Sequence, residues 1–177
     1  LSGGRSSEHE VSLRSGAAVV AGLREGGHQV VEVTIGRDGR WSTPGGTVEL
    51  SPGAGLLGAD AVFPALHGAF GEDGSVQGLL ECLDLPYVGS GVLASAAAMD
   101  KQFTRKLLSM EGLPVTDAVV LRSDHPTLAP AQRQRLGLPV FVKPARAGSS
   151  TGITKVLDWS DLDSAVATML ESLLKGA

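Results

Sequence analysis

Cysteine is almost missing from this chain: Cys82 is the only one in 177 residues. An intramolecular disulfide framework is therefore excluded, and a reducing compartment is expected. Its setting, Leu79-Leu-Glu-Cys-Leu83, predicts a packed thiol and not a nucleophile. Charge is also sparse, at 19% Asp, Glu, Lys and Arg against 42% apolar residues. The 15 Lys and Arg are scattered and the net charge is −4, which argues against a nucleic-acid surface. No apolar run reaches the ~18 residues of a membrane helix, and no basic-then-apolar signal segment opens the chain. A cytoplasmic protein that binds neither nucleic acid nor membrane is the expectation. Internal repeats and low-complexity tracts are lacking too.

The sequence does hold strand and helix patterns that alternate across glycine-rich turns, which predicts a parallel α/β sheet. Helical spacing runs from Val11 to Arg24 through Val11, Ala18, Val19, Gly22 and Leu23, with Gly26-Gly27 as its stop. His28 to Ile35 alternates as a strand, Gly36-Arg-Asp-Gly39 is a turn, and residues 42–58 form an irregular Pro/Gly-rich excursion. Ala61 to Leu66 and Pro86 to Val88 are short strands, with a helix from Ser75 to Leu83 between them. Near Asp100 the style changes. Asp100 is placed to cap a helix over Lys101 to Met110, followed by a strand over Val115 to Leu121 and a short helix over Pro130 to Leu136. Ser160 with Asp163 resembles a capping box opening a last amphipathic helix through Leu162, Val166, Met169, Leu170 and Leu173. These patterns place a domain junction near residues 95–100. Both ends look cut, since Leu1 meets Ser2-Gly-Gly4 at once and no strand follows the last helix; a fragment is expected.

The most informative segment is Leu138-Pro-Val-Phe-Val-Lys-Pro-Ala-Arg-Ala-Gly-Ser-Ser-Thr-Gly-Ile153. It predicts a buried strand that delivers Lys143 into a loop of small residues, then a second strand. A lysine beside a Gly/Ser loop suits polyphosphate: the ammonium is a point charge, and small residues let backbone N–H groups approach phosphate oxygens. The lysine precedes the glycines, so this is not a Walker A loop. Ser149 and Ser150 can donate to phosphate or to a carboxylate intermediate. Lys101 sits in the first turn of its helix, where the dipole disfavours a cation unless an anion binds. Glu8 follows Gly3-Gly4-Arg-Ser-Ser7 at a helix start, either as an ordinary acidic first-turn residue or as a carboxylate for a substrate ammonium. His67, in Ala65-Leu-His-Gly-Ala-Phe-Gly-Glu-Asp-Gly74, follows a strand and can pair with Glu72. Functional groups of parallel sheets gather at the carboxyl ends of strands, where Glu8, His67 and Gly89-Ser90-Gly91 are all expected.

Together, four ordered segments resemble the D-alanine–D-alanine ligase family of ATP-grasp enzymes. They are Gly3-Gly-Arg-Ser-Ser-Glu-His-Glu-Val-Ser12, His67-Gly-Ala-Phe-Gly-Glu-Asp-Gly74 with Gln77-Gly78, Tyr87-Val-Gly-Ser-Gly-Val92 with Met99-Asp-Lys101, and Val142-Lys-Pro-Ala-Arg-Ala-Gly-Ser-Ser-Thr-Gly152. The resemblance implies a parallel-sheet, Rossmann-like N-terminal domain over residues 1–97. It also implies the first α+β subdomain of an ATP-grasp domain, truncated, over residues 98–177. The implied reaction phosphorylates one D-alanine with ATP, and the amine of a second D-alanine attacks the acylphosphate. By resemblance, Glu8 and His67 bind the first D-alanine, Lys101, Lys143, Ser149 and Ser150 bind ATP, and Ser149 links to Glu8 in catalysis. The family's ligands for Mg²⁺ (or Mn²⁺) follow the region present, so none is expected before residue 177. A homodimer, a bacterial cytoplasm and a role in peptidoglycan biosynthesis are implied as well.

Two alternatives stay open. A D-alanine–D-lactate ligase makes an ester from the same acylphosphate, and a truncated, non-catalytic module would bind nucleotide or amino acid without turnover. The 177-residue piece is not expected to ligate by itself.

Overall fold

Strand β1 (Ser2–Gly3) pairs in parallel with β2 (Thr34–Ile35) on one side. On the other side Leu1 is bracketed by the next segment: its amino group donates to the Phe63 carbonyl at 2.8 Å, and Ala65 N–H donates back to Leu1 at 2.8 Å. Val62 in turn bridges Tyr87 in parallel, through Val62 N–H to Pro86 and Val88 N–H to Val62. The carboxyl ends at Gly3, Leu66 and Val88 therefore share one edge, as parallel pairing requires. This computed structural model describes residues 1–122, 126–148 and 152–175, which divide into two units, Leu1–Ala98 and Met99–Ala177.

The first sheet is mixed and not purely parallel. After the Gly36–Gly39 turn, β3 (Trp41–Thr43) runs antiparallel to β2, and β4 (Gly46–Thr47) antiparallel to β3. The expected irregular excursion thus begins with a hairpin, because Pro44-Gly45 makes a turn that Thr43 Oγ1 closes on Gly45 N–H at 3.1 Å. The rest of the excursion is irregular and hangs on the end of the next helix, with Gly53 and Gly55 N–H donating to Cys82 and Leu83. The long strand expected over His28–Ile35 contracts to Thr34–Ile35, the two residues that β1 pairs.

Helix α1 (His9–Glu25) packs on β1 with a face that apolar spacing did not mark. His9, Ser12 and Gly16 are its buried residues, while Val11 is 41% exposed. Gly16 sets the approach, since a β-carbon there would lie 2.5 Å from that of Ser2. The remaining core gathers Ile35, Trp41, Val62, Leu66, Leu80 and Leu83, with α2 (Ser75–Cys82) supplying Val76 and Leu80. Leu80 is fully buried, a burial worth about 2 kcal/mol relative to exposure. Cys82, expected to be packed, is exposed instead: Leu80 and Leu83 face the core, and the thiol between them points outward. Helix α3 (Val92–Met99) closes the unit.

In the second unit Asp100 caps α4 (Lys101–Met110), accepting from Gln102 and Phe103 N–H at 2.9 and 3.1 Å. Residues 115–121 form no ladder among the described residues, where a strand was expected. Helix α5 (Pro130–Leu136) precedes β5 (Val140–Val142), which pairs antiparallel with β6 (Thr154–Val156). β5 is not the buried strand that was expected: Phe141 is 58% exposed, because only one face of this two-stranded ladder is covered. The last helix, α6 (Leu162–Lys175), follows a single 3₁₀ turn over Trp159–Asp161, and it is Asp158, not Ser160, that caps that turn. Leu162, Ala165 and Val166 are buried, whereas Leu170 and Leu173 remain well exposed.

Candidate active site

The glycine turn after β1 and the loop after Leu66 come together at one sheet edge. Ser6 joins them: its hydroxyl donates to the His67 carbonyl at 2.6 Å and accepts Glu8 N–H at 3.2 Å. Glu8 occupies the N-cap position of α1, but its side chain makes no capping bond. The carboxylate lies instead against Gly68, where an added β-carbon would sit 2.6 Å from Glu8 Oε2. Gly68 has φ +72°, a conformation suited to glycine. Its freedom and its lack of a side chain both make room for Glu8 beside His67.

The His67 ring is hydrogen-bonded at one nitrogen and faces a carboxylate at the other. Nε2 lies 2.9 Å from Ser15 Oγ on α1, and Nδ1 lies 3.9 Å from Glu72 Oε1. Glu72 is itself anchored, since its Oε2 accepts Gly68 N–H at 2.8 Å. Asp73 braces the same loop by accepting Phe70 N–H at 2.9 Å and Ser75 N–H at 3.0 Å. Burial pushes the Asp73 carboxyl up, but these hydrogen bonds together hold it below the ordinary carboxylate value. Beneath the loop, Ser12 is fully buried and ties the glycine turn to the sheet, accepting from Gly3 N–H at 2.8 Å and donating to Ala65 at 2.6 Å. Nearby, a cavity of about 160 Å³ is lined by Arg5, Trp41, Leu66, His67, Phe70 and Val76; Glu8 is not among its walls.

The second unit holds the two lysines. Lys101 N–H donates to Ala145 at 3.0 Å, and its ammonium donates to the Ala147 carbonyl, so α4 begins against the loop that follows Lys143. Arg146 fastens that loop from the other side with a 2.7 Å bond to Asp100. Burial, and next the charge of Lys143, lower the Lys101 pKa below its ordinary value. Two cations near each other beside a loop of small residues are the kind of groups that polyphosphate binding calls for. Ser149 and Ser150 lie outside the described residues. Among the described residues no three His, Cys, Asp or Glu side chains gather as a metal-ligand set.

Two other motif spacings occur in the chain and fall in the wrong context. Gly53-Ala-Gly-Leu-Leu-Gly58 has the dinucleotide-binding spacing, yet it neither directly follows a strand nor opens a helix. Gly148-Ser-Ser-Thr-Gly152 has the spacing of a nucleophile elbow, which needs a strand-to-helix turn, but it stands between β5 and β6.

Ser6, Ser12, Ser15 and Asp73 are positions that sequence reasoning missed. The signal available for two of them was the three-residue spacing of Ser12 and Ser15 on α1, which puts both on one helix face.

Comparison with known proteins gives concordant matches. The family described as "D-ala D-ala ligase N-terminus" matches residues 1–53 and 47–90, and "D-ala D-ala ligase C-terminus" matches residues 107–173. A D-alanine–D-alanine ligase of Nocardia farcinica is 48% identical over 96% of this chain and 56% of its own length. One from Rhodococcus erythropolis is 48% identical over 93% of this chain and 55% of its own. Among solved structures, the D-alanine–D-alanine ligase from Coxiella burnetii superposes with a TM-score of 0.84 at 33% identity, over 96% of this chain and 57% of that one. The VanG D-Ala:D-Ser ligase from Enterococcus faecalis gives 0.80 at 32% identity, over 96% and 58%. The chain spans a little more than half the length of the relatives it matches.

Proposed function

Because the chain belongs to the D-alanine–D-alanine ligase family, we propose that it carries the first-substrate pocket and part of the ATP site of an ATP-dependent ligase joining two D-alanines. The observation that supports this best is the Glu8 carboxylate set against Gly68 beside His67. A carboxylate there offers a partner to the ammonium of D-alanine, and His67 offers a ring N–H or lone pair to orient the amino acid. Lys101 and Lys143 hold the phosphates of ATP, and the hydroxyls of Ser149 and Ser150 are further donors to them.

In this reading a carboxylate oxygen of the first D-alanine takes the γ-phosphoryl group, and ADP leaves. The amine of the second D-alanine attacks the acylphosphate carbonyl and loses a proton. The C–O bond to phosphate then breaks and inorganic phosphate departs with its electron pair. The chain's contribution is positioning and charge neutralisation. A divalent cation supplies further counter-charge in such chemistry; the described residues offer it no ligand set. A homodimer acting in the cytoplasm in cell-wall peptidoglycan synthesis completes the proposal. No helix among the described residues is long and apolar enough to cross a membrane.

The test is a chimera in which this chain replaces the matching part of the Nocardia farcinica relative. D-alanine-dependent ADP release is expected, falling roughly 10²-fold in Lys143→Ala. Offering D-lactate as second substrate separates dipeptide from ester formation. A chimera that folds but releases no ADP with either would refute the proposal.

A further inference from the structure

We propose that Ser15 is a positioning residue for His67: its hydroxyl donates to Nε2 and so fixes the imidazole in the form that carries its proton on Nδ1. The inference deepens the D-alanine reading above and rests on it for its use, though not for its geometry. Of the two ring nitrogens, Nε2 faces a hydroxyl at 2.9 Å, which can donate or accept. Nδ1 faces the Glu72 carboxylate at 3.9 Å, which when ionised can only accept. That carboxylate cannot swing away freely, because its other oxygen holds Gly68 N–H at 2.8 Å. A lone pair on Nδ1 would confront a negative charge, so the proton belongs on Nδ1. Nε2 is then an acceptor, and Ser15 O–H its donor.

The scaffold behind Ser15 is rigid. Helix α1 lies on β1 at Gly16, and one turn earlier Ser12 is bonded to both Gly3 and Ala65. The His67 backbone is pinned separately by Ser6. Ser15 therefore acts on the ring alone. The consequence is an N–H donor on the ring edge facing Glu72, next to the Gly68 against which Glu8 rests. That donor keeps the ring turned toward Glu72, whose other oxygen is tied to Gly68 N–H, and so keeps His67 in place beside the Glu8 carboxylate.

Long-range heteronuclear correlation spectra of the imidazoles test this in the 177-residue chain, in alkaline buffer where imidazoles are neutral. His67 is assigned among the four histidines by its loss in His67→Gln. The parent should show the Nδ1–H pattern. Ser15→Ala should lower the Nδ1–H to Nε2–H ratio about fivefold, the equivalent of one ordinary hydrogen bond, and Ser15→Thr should keep the parent pattern. Alanine favours helix at this half-buried position, so the variant retains α1. An Nε2–H pattern in the parent, or an unchanged ratio in Ser15→Ala, would overturn the inference. The spectra need no substrate, so a chain that failed to bind D-alanine would sink the functional proposal while leaving the tautomer result to stand or fall by itself.

Discussion

Gly68 shows how a single residue serves the site twice. Its φ of +72° turns the chain after His67, and its bare α-carbon admits the Glu8 carboxylate. Gly68→Ala should therefore cost about 1–2 kcal/mol in backbone strain alone, with the Glu8 contact broken in addition. Denaturant unfolding and D-alanine titration of the same variant check both: stability should fall and binding should fall further than stability explains. At this scale the sequence singles out Glu8, His67, Lys101 and Lys143 unequally. Lys143, delivered by an apolar strand into a loop of small residues, is the most pointed, whereas an acidic first-turn residue such as Glu8 and a strand-end histidine such as His67 are also ordinary structural features. The serines were not legible. Ser6, Ser12 and Ser15 act through hydrogen bonds to groups up to 61 residues away, and the spacing that puts Ser12 and Ser15 on one helix face does not name those partners.

Helix starts are the best-read elements because their signals are local. Asp100 is an example: a short side-chain acceptor immediately before Lys101 caps α4 as expected. The hydrogen bond from Arg146 holds its carboxyl below the ordinary carboxylate range, aided by Phe103 and Gln102 N–H and opposed by burial. A carboxyl whose pKa is depressed on folding stabilises the fold fully above its unfolded value, near 3.8. That stabilisation is lost as pH falls through the lower folded value. Asp100→Ala should thus cost about 1 kcal/mol at neutral pH, and the gap in melting temperature from the parent should narrow as the pH drops below about 4. A gap that stays constant into acid would contradict the role assigned to the charge. Strands were read less well, for a physical reason: a strand exists only with a partner. His28–Ile35 and residues 115–121 have strand-like composition, yet the first pairs at two residues and the second forms no ladder among the described residues. The β3–β4 hairpin went unseen because its five strand residues are mostly polar or glycine, without apolar alternation.

For the whole molecule, the order of the four motif segments carried more than any element, and the family assignment follows from it. The fold class was legible because helices and glycine-ended strands alternate along the chain. The mixed character of the first sheet was not, since it depends on one polar hairpin. The two units carry separate parts of the proposed chemistry, an amino-acid pocket in Leu1–Ala98 and an anion site in Met99–Ala177. In the proposed function the first of them binds D-alanine through Glu8. The decisive experiment is calorimetric titration of the 177-residue chain with D-alanine, beside L-alanine and the Glu8→Gln variant. Saturable binding selective for the D-enantiomer is expected, weakened at least about tenfold in Glu8→Gln, the loss of a charge-assisted hydrogen bond. Binding that is absent, or that Glu8→Gln leaves unchanged, would overturn the role given to Glu8.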